Sequence, residues 1–267
     1  FTSWNSFMIG FNHLGKIGRL GNQMFQYAAL RGIADKHGYD FIIPDSNFED
    51  EWNEHQLFDV FKLPNLKNRG MIDAQYVQEN QFHFNQELFD NCPDNVSIYG
   101  FFQTERYFSH IADSIKEDFK FSDEVRKNCM EVMSDMGKDP IGLHIRRGDY
   151  LQQSQDHPPC SLDYYEEALK HFDDDRQVII FSDDPDWCND QELFSGDRFL
   201  ISENDDNVYD MCLLTLCEDY IIANSSFSWW GAWLSQNPNA KVIAPKRWFG
   251  TTGYTAKNNT EDLVPDR

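Results

Sequence analysis

The second half of the chain repeats one pattern: a short apolar run, a polar turn, a helix-like stretch, then another apolar run. Apolar runs suited to strands fall at 141–146, 177–182, 198–201, 219–223 and 241–244, and stretches suited to helices at 163–172, 186–194, 207–216 and 228–235. Strands alternating with helices of this length predict parallel βαβ units, with helices covering a twisted sheet. Such sheets bind ligands beyond the carboxyl ends of their strands, so polar clusters that follow a strand are where a site is expected.

The first half starts a second unit of the same kind. An apolar run at 8–11 leads into a turn with Gly15, Gly18 and Gly21, then a helix over 22–37 with Phe25, Ala28, Ala29 and Ile33 among its apolar positions. Gly38 stops that helix before a strand over 41–43 and Pro44. From 49 to 105 the pattern weakens and becomes rich in Asn, Gln and aromatics, which reads as insertions or substrate loops. Gly137-Lys138-Asp139-Pro140 breaks an amphipathic run that starts near Ser122. The expected organisation is therefore an N-terminal domain over 8–137, a C-terminal domain over 138–250 and a tail over 251–267. Met8 is a natural start, so residues 1–7 are expected to carry no function.

Composition narrows the partners. In 267 residues, 40% hydrophobic content with 15% aromatics supplies real cores. A formal net charge of −22 repels nucleic acid and anionic membrane over most of the surface, so an anionic ligand must be caught by a local cluster of cations. No apolar run approaches the roughly 20 residues needed to span a bilayer, and the expectation is a soluble chain without a secretion signal. Six cysteines, without a CxxC pair and mostly beside apolar segments, read as buried free thiols in a reducing compartment, with no structural zinc. Sequons at Asn95, Asn224 and Asn258 read as chance matches, since Asn224 follows a buried strand.

The cations cluster at 141–150 (IGLHIRRGDY), where an apolar run delivers Arg146 and Arg147 onto Gly148 and Asp149. A guanidinium stays charged and offers a planar fork that matches two phosphate oxygens. Two in a row point to opposite sides of a continuing strand, so one can face a ligand while the other pairs with an acid such as Asp149. The plainer reading is an ordinary strand end with a salt bridge. After the fourth strand of this half, Asn224-Ser225-Ser226-Phe227-Ser228 opens a helix, which suits either a diphosphate cradle or a plain serine cap. The tryptophans after it are read as packing on the sheet. Ser182-Asp183-Asp184-Pro185-Asp186 follows the second strand, where a carboxylate can accept from a ribose or base; Asp184 and Asp186 also have DxD spacing, a weak signal in a chain so rich in aspartate. The run at 18–23 (GRLGNQ) resembles a loop that brings backbone close to a ligand, but it lacks GxGxxG order and a Gly-Lys-Ser/Thr ending. Nucleophile-elbow and metalloprotease signatures are absent. The Arg147-Gly148-Asp149 tripeptide is set aside as an adhesion motif because it lies at a strand end among other polar clusters.

Four segments together, 18–29 (GRLGNQMFQYAA), 144–150 (HIRRGDY), 182–188 (SDDPDWC) and 223–234 (ANSSFSWWGAWL), resemble the α-1,2-fucosyltransferases, in that family's order and over most of the chain. The resemblance implies an α/β fold of GT-B type, two Rossmann-like domains facing a cleft, with the donor held mainly by the C-terminal one. It implies inverting transfer of L-fucose from GDP-β-L-fucose to the 2-hydroxyl of a galactose residue of a glycan, with no metal and no other cofactor. On this reading Arg146 and Arg147 meet the diphosphate, Arg147 most directly, and Ser226, Phe227 and Ser228 add donors. His144 and Asp183 are assigned to ribose or guanine. Asp149 is a candidate catalytic base, its alternative role being to hold an arginine. Asn22 is the other residue placed at the reacting centre, where an amide positions the acceptor or a water. The catalytic glutamate of some fucosyltransferases has no counterpart here, since Gln152, Gln153 and Ser154 follow the motif. Trp4, Trp52 and Tyr76 are aromatics available to acceptor sugars, with core packing as their default role. The expected location is the cytoplasm, peripheral to a membrane where the acceptor is lipid-linked. Competing readings are an enzyme with another GDP-sugar or linkage, a DxD-dependent transferase, and a nucleotide- or glycan-binding module without catalysis.

Overall fold

The computed structural model describes residues 7–45 and 55–265. Trp4 and Trp52 lie outside them. The chain divides into two compact units: one takes the described residues up to Phe121 and returns at Asn258, and the other is Ser122–Lys257.

The first unit contains β1 (Met8–Gly10), α1 (Leu20–His37), β2 (Asp40–Ile43), α2 (Leu57–Val60), β3 (Asn68–Arg69), β4 (Gln75–Gln78), α3 (Gln86–Asn91), β5 (Val96–Tyr99) and α4 (Ala112–Asp118). Among the described residues its sheet has five parallel strands in the order β3-β2-β1-β5-β4. Helix α1 is the core element: Phe25, Tyr27, Ala28, Ala29, Leu30 and Ile33 are fully buried. It ends where Gly38, at φ 69°, takes the left-handed cap. Gly32 within it cannot be replaced, because a Cβ there would lie 1.8 Å from the Tyr107 carbonyl oxygen.

The second unit contains α5 (Asp123–Ser134), β6 (Ile141–Ile145), α6 (Leu162–Leu169), β7 (Val178–Ser182), α7 (Pro185–Asn189), β8 (Phe199–Ile201), α8 (Asn207–Thr215), β9 (Asp219–Ile221), α9 (Ser226–Trp233) and β10 (Val242–Ile243). Its five parallel strands run β10-β9-β6-β7-β8. Each of the five strands expected from apolar runs in this half is present. The stretch at 186–194 is shorter as a helix than expected: α7 stops at Asn189 and a 3₁₀ turn, Glu192–Phe194, comes after it. Strand β6 is buried along its whole length, as a central parallel strand with both faces covered must be. Strand order reverses direction between β6 and β9 here, and between β1 and β5 in the first unit, and such switch points are where open α/β sheets take ligands.

The division falls earlier than the break at 137–140. Ser122 caps α5, its Oγ accepting the Val125 N–H at 3.2 Å, and Cys129 on the inner face of α5 is buried beside the Tyr209 carbonyl of α8. The amphipathic run therefore packs within the second unit, and the Gly-Lys-Asp-Pro sequence only turns the chain from α5 into β6. The tail divides too. Residues through Lys257 stay with the second unit, while Asp262 accepts the Phe84 N–H at 2.9 Å and Leu263 is buried in the first. All six cysteines are free thiols, five of them buried. No helix among the described residues is long and apolar enough to cross a membrane.

Candidate active site

In the second unit the polar groups gather at the carboxyl ends of β6, β7 and β9. Beyond Ile145 the chain leaves β6 and the two arginines take separate partners. The Arg146 guanidinium lies between Asp149, at 2.6 Å, and Asp183, at 3.0 Å, and sits 5.4 Å from the Tyr150 ring centre. Arg147 donates from Nε to Asp184 Oδ2 at 3.1 Å and lies 3.8 Å over the Trp187 ring. Its two terminal nitrogens make no hydrogen bond with a described residue, so half of its fork is open. The backbone N–H of Arg147 donates to Asp183 Oδ1 at 2.8 Å. Gly148 is required by crowding, since a Cβ there would lie 2.5 Å from Asp183 Oδ2.

Asp183 thus spends both oxygens on the arginine loop, and its expected ribose or guanine contact competes with those bonds. Asp184 is equally engaged: its other oxygen accepts the Trp187 N–H at 3.3 Å and caps α7. A DxD-type metal pair would have to take Asp184 from both a guanidinium and a helix end.

The start of α9 forms the second cluster. Ser225, one residue before the expected serine group, is the cap: its Oγ accepts the Phe227 N–H at 3.3 Å. Ser228 is fully buried and shares a 2.8 Å hydrogen bond with His144 Nδ1. Burial, with the Arg146 charge adding to it, pushes the His144 imidazole down to about 3, so the ring is neutral near pH 7. The Ser228 hydroxyl also faces the Ser225 carbonyl at 3.5 Å, which leaves its lone pairs to the Nδ1–H of that neutral ring. Phe227 tilts against His144 with ring centres 5.4 Å apart. The Tyr150 hydroxyl donates to the Asn224 carbonyl at 2.9 Å and ties the two loops across the switch point. Both amide hydrogens of Asn224 are used, on Pro158 and Trp248 carbonyls, and the residue is buried, so its sequon is not an accessible one. Trp229, Trp230 and Trp233 are buried against one another, in the packing role expected of them.

In the first unit Asn22 lies in the first turn of α1, where its Oδ1 accepts from Gln103 Nε2 at 2.6 Å. The glycine loop before it is held from within: Gln23 donates to the Gly18 carbonyl at 3.2 Å and Gln26 to that of Ile17 at 2.9 Å, both side chains being fully buried. Gly18 has φ 89°, and Asn22 fills the space a side chain there would need. Two residues of this neighbourhood, Gln103 and Glu79, do not stand out in the sequence. Both come after short strands inside the stretch whose pattern is weakest; Gln103 at least follows the largely apolar segment 98–102, while Glu79 follows the mixed sequence QYVQ. Trp187 and Ser225 fall within the sequence motifs, but the motifs alone give them no role.

The profile of the family described as Glycosyl transferase family 11 matches residues 3–259. The chain belongs to that family. Relatives include the O-antigen biosynthesis glycosyltransferase WbnK of Escherichia coli, 28% identical over 93% of this chain and 96% of that protein, and an alpha-1,2-colitosyltransferase of the same organism, 30% identical over 87% and 90%. A human galactoside alpha-(1,2)-fucosyltransferase 1 is 27% identical over 82% of this chain and 64% of its own length. Among solved structures, the alpha-1,6-fucosyltransferase NodZ co-crystallised with GDP superposes with a TM-score of 0.57, covering 86% of this chain and 93% of that one at 13% identity. That likeness concerns the fold: two parallel α/β units of the GT-B type. The family-11 chain is thus a glycosyltransferase, as its four sequence segments imply.

Proposed function

We propose that this family-11 glycosyltransferase moves L-fucose from GDP-β-L-fucose to the 2-hydroxyl of a galactose residue, with inversion at the sugar carbon. The observation that carries the reading is the open edge of Arg147 at the carboxyl end of β6, beside a helix that starts on a serine cap. A leaving nucleoside diphosphate gains charge as its bond to the sugar breaks, and fixed cations and N–H donors stabilise that charge without reorganising. The names of the fucosyl- and colitosyltransferase relatives support a 2-linked transfer of a deoxysugar, and that of the human relative supports a galactoside acceptor.

In the proposed step the acceptor oxygen bonds to the sugar C1 while the bond from C1 to the diphosphate oxygen breaks, and GDP departs with the electron pair. Arg147 meets the diphosphate directly. Arg146, with both terminal nitrogens on carboxylates, supports the loop and adds charge from behind. Ser226 and the N–H groups of the first turn of α9 extend the cradle, with Ser228 and His144 fixing its angle. Asp149 has one oxygen pinned to Arg146 and no described partner on the other, so it is the carboxylate assigned to receive the hydroxyl proton. Asn22 orients the acceptor or a water. Asp183 is reassigned from nucleoside contact to holding the arginine loop. With Asp184 engaged as described, countercharge comes from the arginines, and transfer is expected to persist in EDTA. The buried free thiols are in keeping with a reducing compartment, and we place the enzyme in the cytoplasm, peripheral to a membrane where the acceptor is lipid-linked.

The test is transfer from GDP-fucose to lactose in EDTA with NMR linkage analysis. A Fucα1-2Gal product is the expected result. Strict dependence on added manganese would overturn the metal-free mechanism, and failure to bind GDP in calorimetry would overturn the donor assignment. Transfer from a different GDP-deoxysugar in preference to GDP-fucose would move the enzyme toward its colitosyltransferase relative.

A further inference from the structure

The turn after β5 is built against local preference. Gly100 has φ 153° and Phe102 has φ 51°, a left-handed conformation that a bulky residue seldom adopts. Glu79, the residue directly after β4, holds this turn. One of its oxygens, Oε2, accepts the N–H of Phe101 at 2.9 Å and of Phe102 at 3.2 Å. Gly100 leaves it room, since a Cβ there would fall 2.5 Å from the Glu79 Cβ. On the other side Gln26 of α1 reaches the Gly100 carbonyl at 3.4 Å, and the Phe102 ring is buried against Phe11 and Tyr107. The next residue is Gln103, whose amide donates to Asn22. A continuous path therefore runs from a carboxylate through two N–H groups and one amide to Asn22, and its last bond spans the switch point between β1 and β5.

The carboxylate is an expensive choice for this post. Its Oε1 is buried without a hydrogen-bond partner among the described residues. Burial, opposed by the two N–H bonds and aided by the Asp262 charge, pushes the carboxyl up to about 7. A glutamine could fill the same volume and still accept both N–H bonds without a charge to desolvate. An ionised carboxylate accepts those two N–H bonds more strongly than a neutral amide would, so the acid gives the turn a firmer grip at a cost in stability.

We infer that Glu79 is a positioning residue for the transfer step, fixing Asn22 through the 100–103 turn and Gln103. This rests on the assignment of Asn22 to the acceptor side. A double-mutant cycle tests it, with Glu79→Gln, Asn22→Ala and the pair, reading kcat and KM for GDP-fucose and lactose, and GDP affinity by calorimetry. Glu79→Gln is expected to lower kcat roughly 10-fold, in the range that misplacement of a reacting group produces, with GDP affinity unchanged. In the Asn22→Ala background the same change should cost almost nothing. Wild-type kcat in Glu79→Gln, or losses that multiply in the double variant, would overturn the inference while leaving Asn22 in place. An Asn22→Ala enzyme with full activity would remove the Asn22 assignment and the inference with it. Gln103→Leu cuts the last bond without touching the carboxylate; it should reproduce the kcat loss with GDP affinity intact, and full kcat in that variant also overturns the inference.

Discussion

The two units place polar side chains at equivalent points of similar sheets, yet build them from opposite materials. At the β6/β9 switch point the second unit sets two guanidinium groups against three carboxylates, Asp149, Asp183 and Asp184. At the β1/β5 switch point the first unit uses neutral amides, Asn22, Gln23, Gln26 and Gln103, with the half-buried acid Glu79 behind them. Charge suits an anion that must be held while its charge grows; amides, which both donate and accept, suit hydroxyl groups that must be oriented. The scaffold is shared, and the side chains after the strands decide what each half can grip. The contrast also shows that the arginine cluster is not simply positive: two cations against three anions sum formally to −1, so any anion entering it would have to displace carboxylates as well as attract guanidinium groups. The open edge of Arg147 is the point where it can begin to do so.

The strongest way to break this contrast is at Arg147. Arg147→Ala should lower kcat/KM by about 10³, a loss of the size seen on removing a preorganised donor to developing charge, and Arg147→Lys should recover only part because the planar fork is gone. Steady-state kinetics with GDP-fucose checks both, and an Arg147→Ala enzyme within about tenfold of wild type would undo the assignment. Next in size is Asp183→Asn, which weakens the grip on the Arg146 guanidinium and on the Arg147 N–H together. Because both side chains keep some solvent contact, urea unfolding should show a loss of about 1–2 kcal/mol rather than the full cost of a dry pair.

The smallest effect is also the most discriminating. His144 titrates lower in the folded chain than in the unfolded one, so the unfolded state binds the extra proton between about 3 and 6.5, and this contribution to stability is lost as pH falls through that window. Glu79 titrates higher when folded, so the folded state holds the extra proton between about 4.5 and 7, and stability falls as pH rises there. Hydrogen exchange between about pH 5 and 7 should therefore show β6 becoming less protected toward acid while the 100–103 turn becomes less protected toward neutrality, a difference on the order of 1 kcal/mol. Parallel slopes in the two segments would show that the contrast does not extend to their electrostatics.

Much of the second unit was legible because its central strands are buried on both faces and stand out as continuous apolar runs between polar turns. The pairing of one arginine of the doublet with Asp149 was legible for a simpler reason, being local in sequence, and the structure makes it Arg146. Its pairing with Asp183 was not, because it depends on β6 and β7 lying side by side. In the first unit, α1 was marked by the glycine loop before it and Gly38 after it. Glu79 and Gln103 were invisible because strands of four residues in a polar stretch leave no period to read. The domain break was misplaced for a related reason: Gly-Lys-Asp-Pro announces a turn, and a turn does not say which neighbour the preceding helix will pack against. Site roles rested on motifs, and geometry adds partners to them: an open fork for Arg147, a neutral ring for His144, a committed Asp183.

The return of Asn258 onward to the first unit has a consequence for how this chain is made. During synthesis the first unit cannot be completed by the residues next in line: Phe84 waits for the Asp262 carboxylate, and the place that buries Leu263 stays open until the whole second unit has been made. The second unit, contiguous in sequence, can close earlier. Birth order and maturation order are thus reversed, and a nascent glycosyltransferase of this design would acquire its arginine-bearing half before its other half is finished.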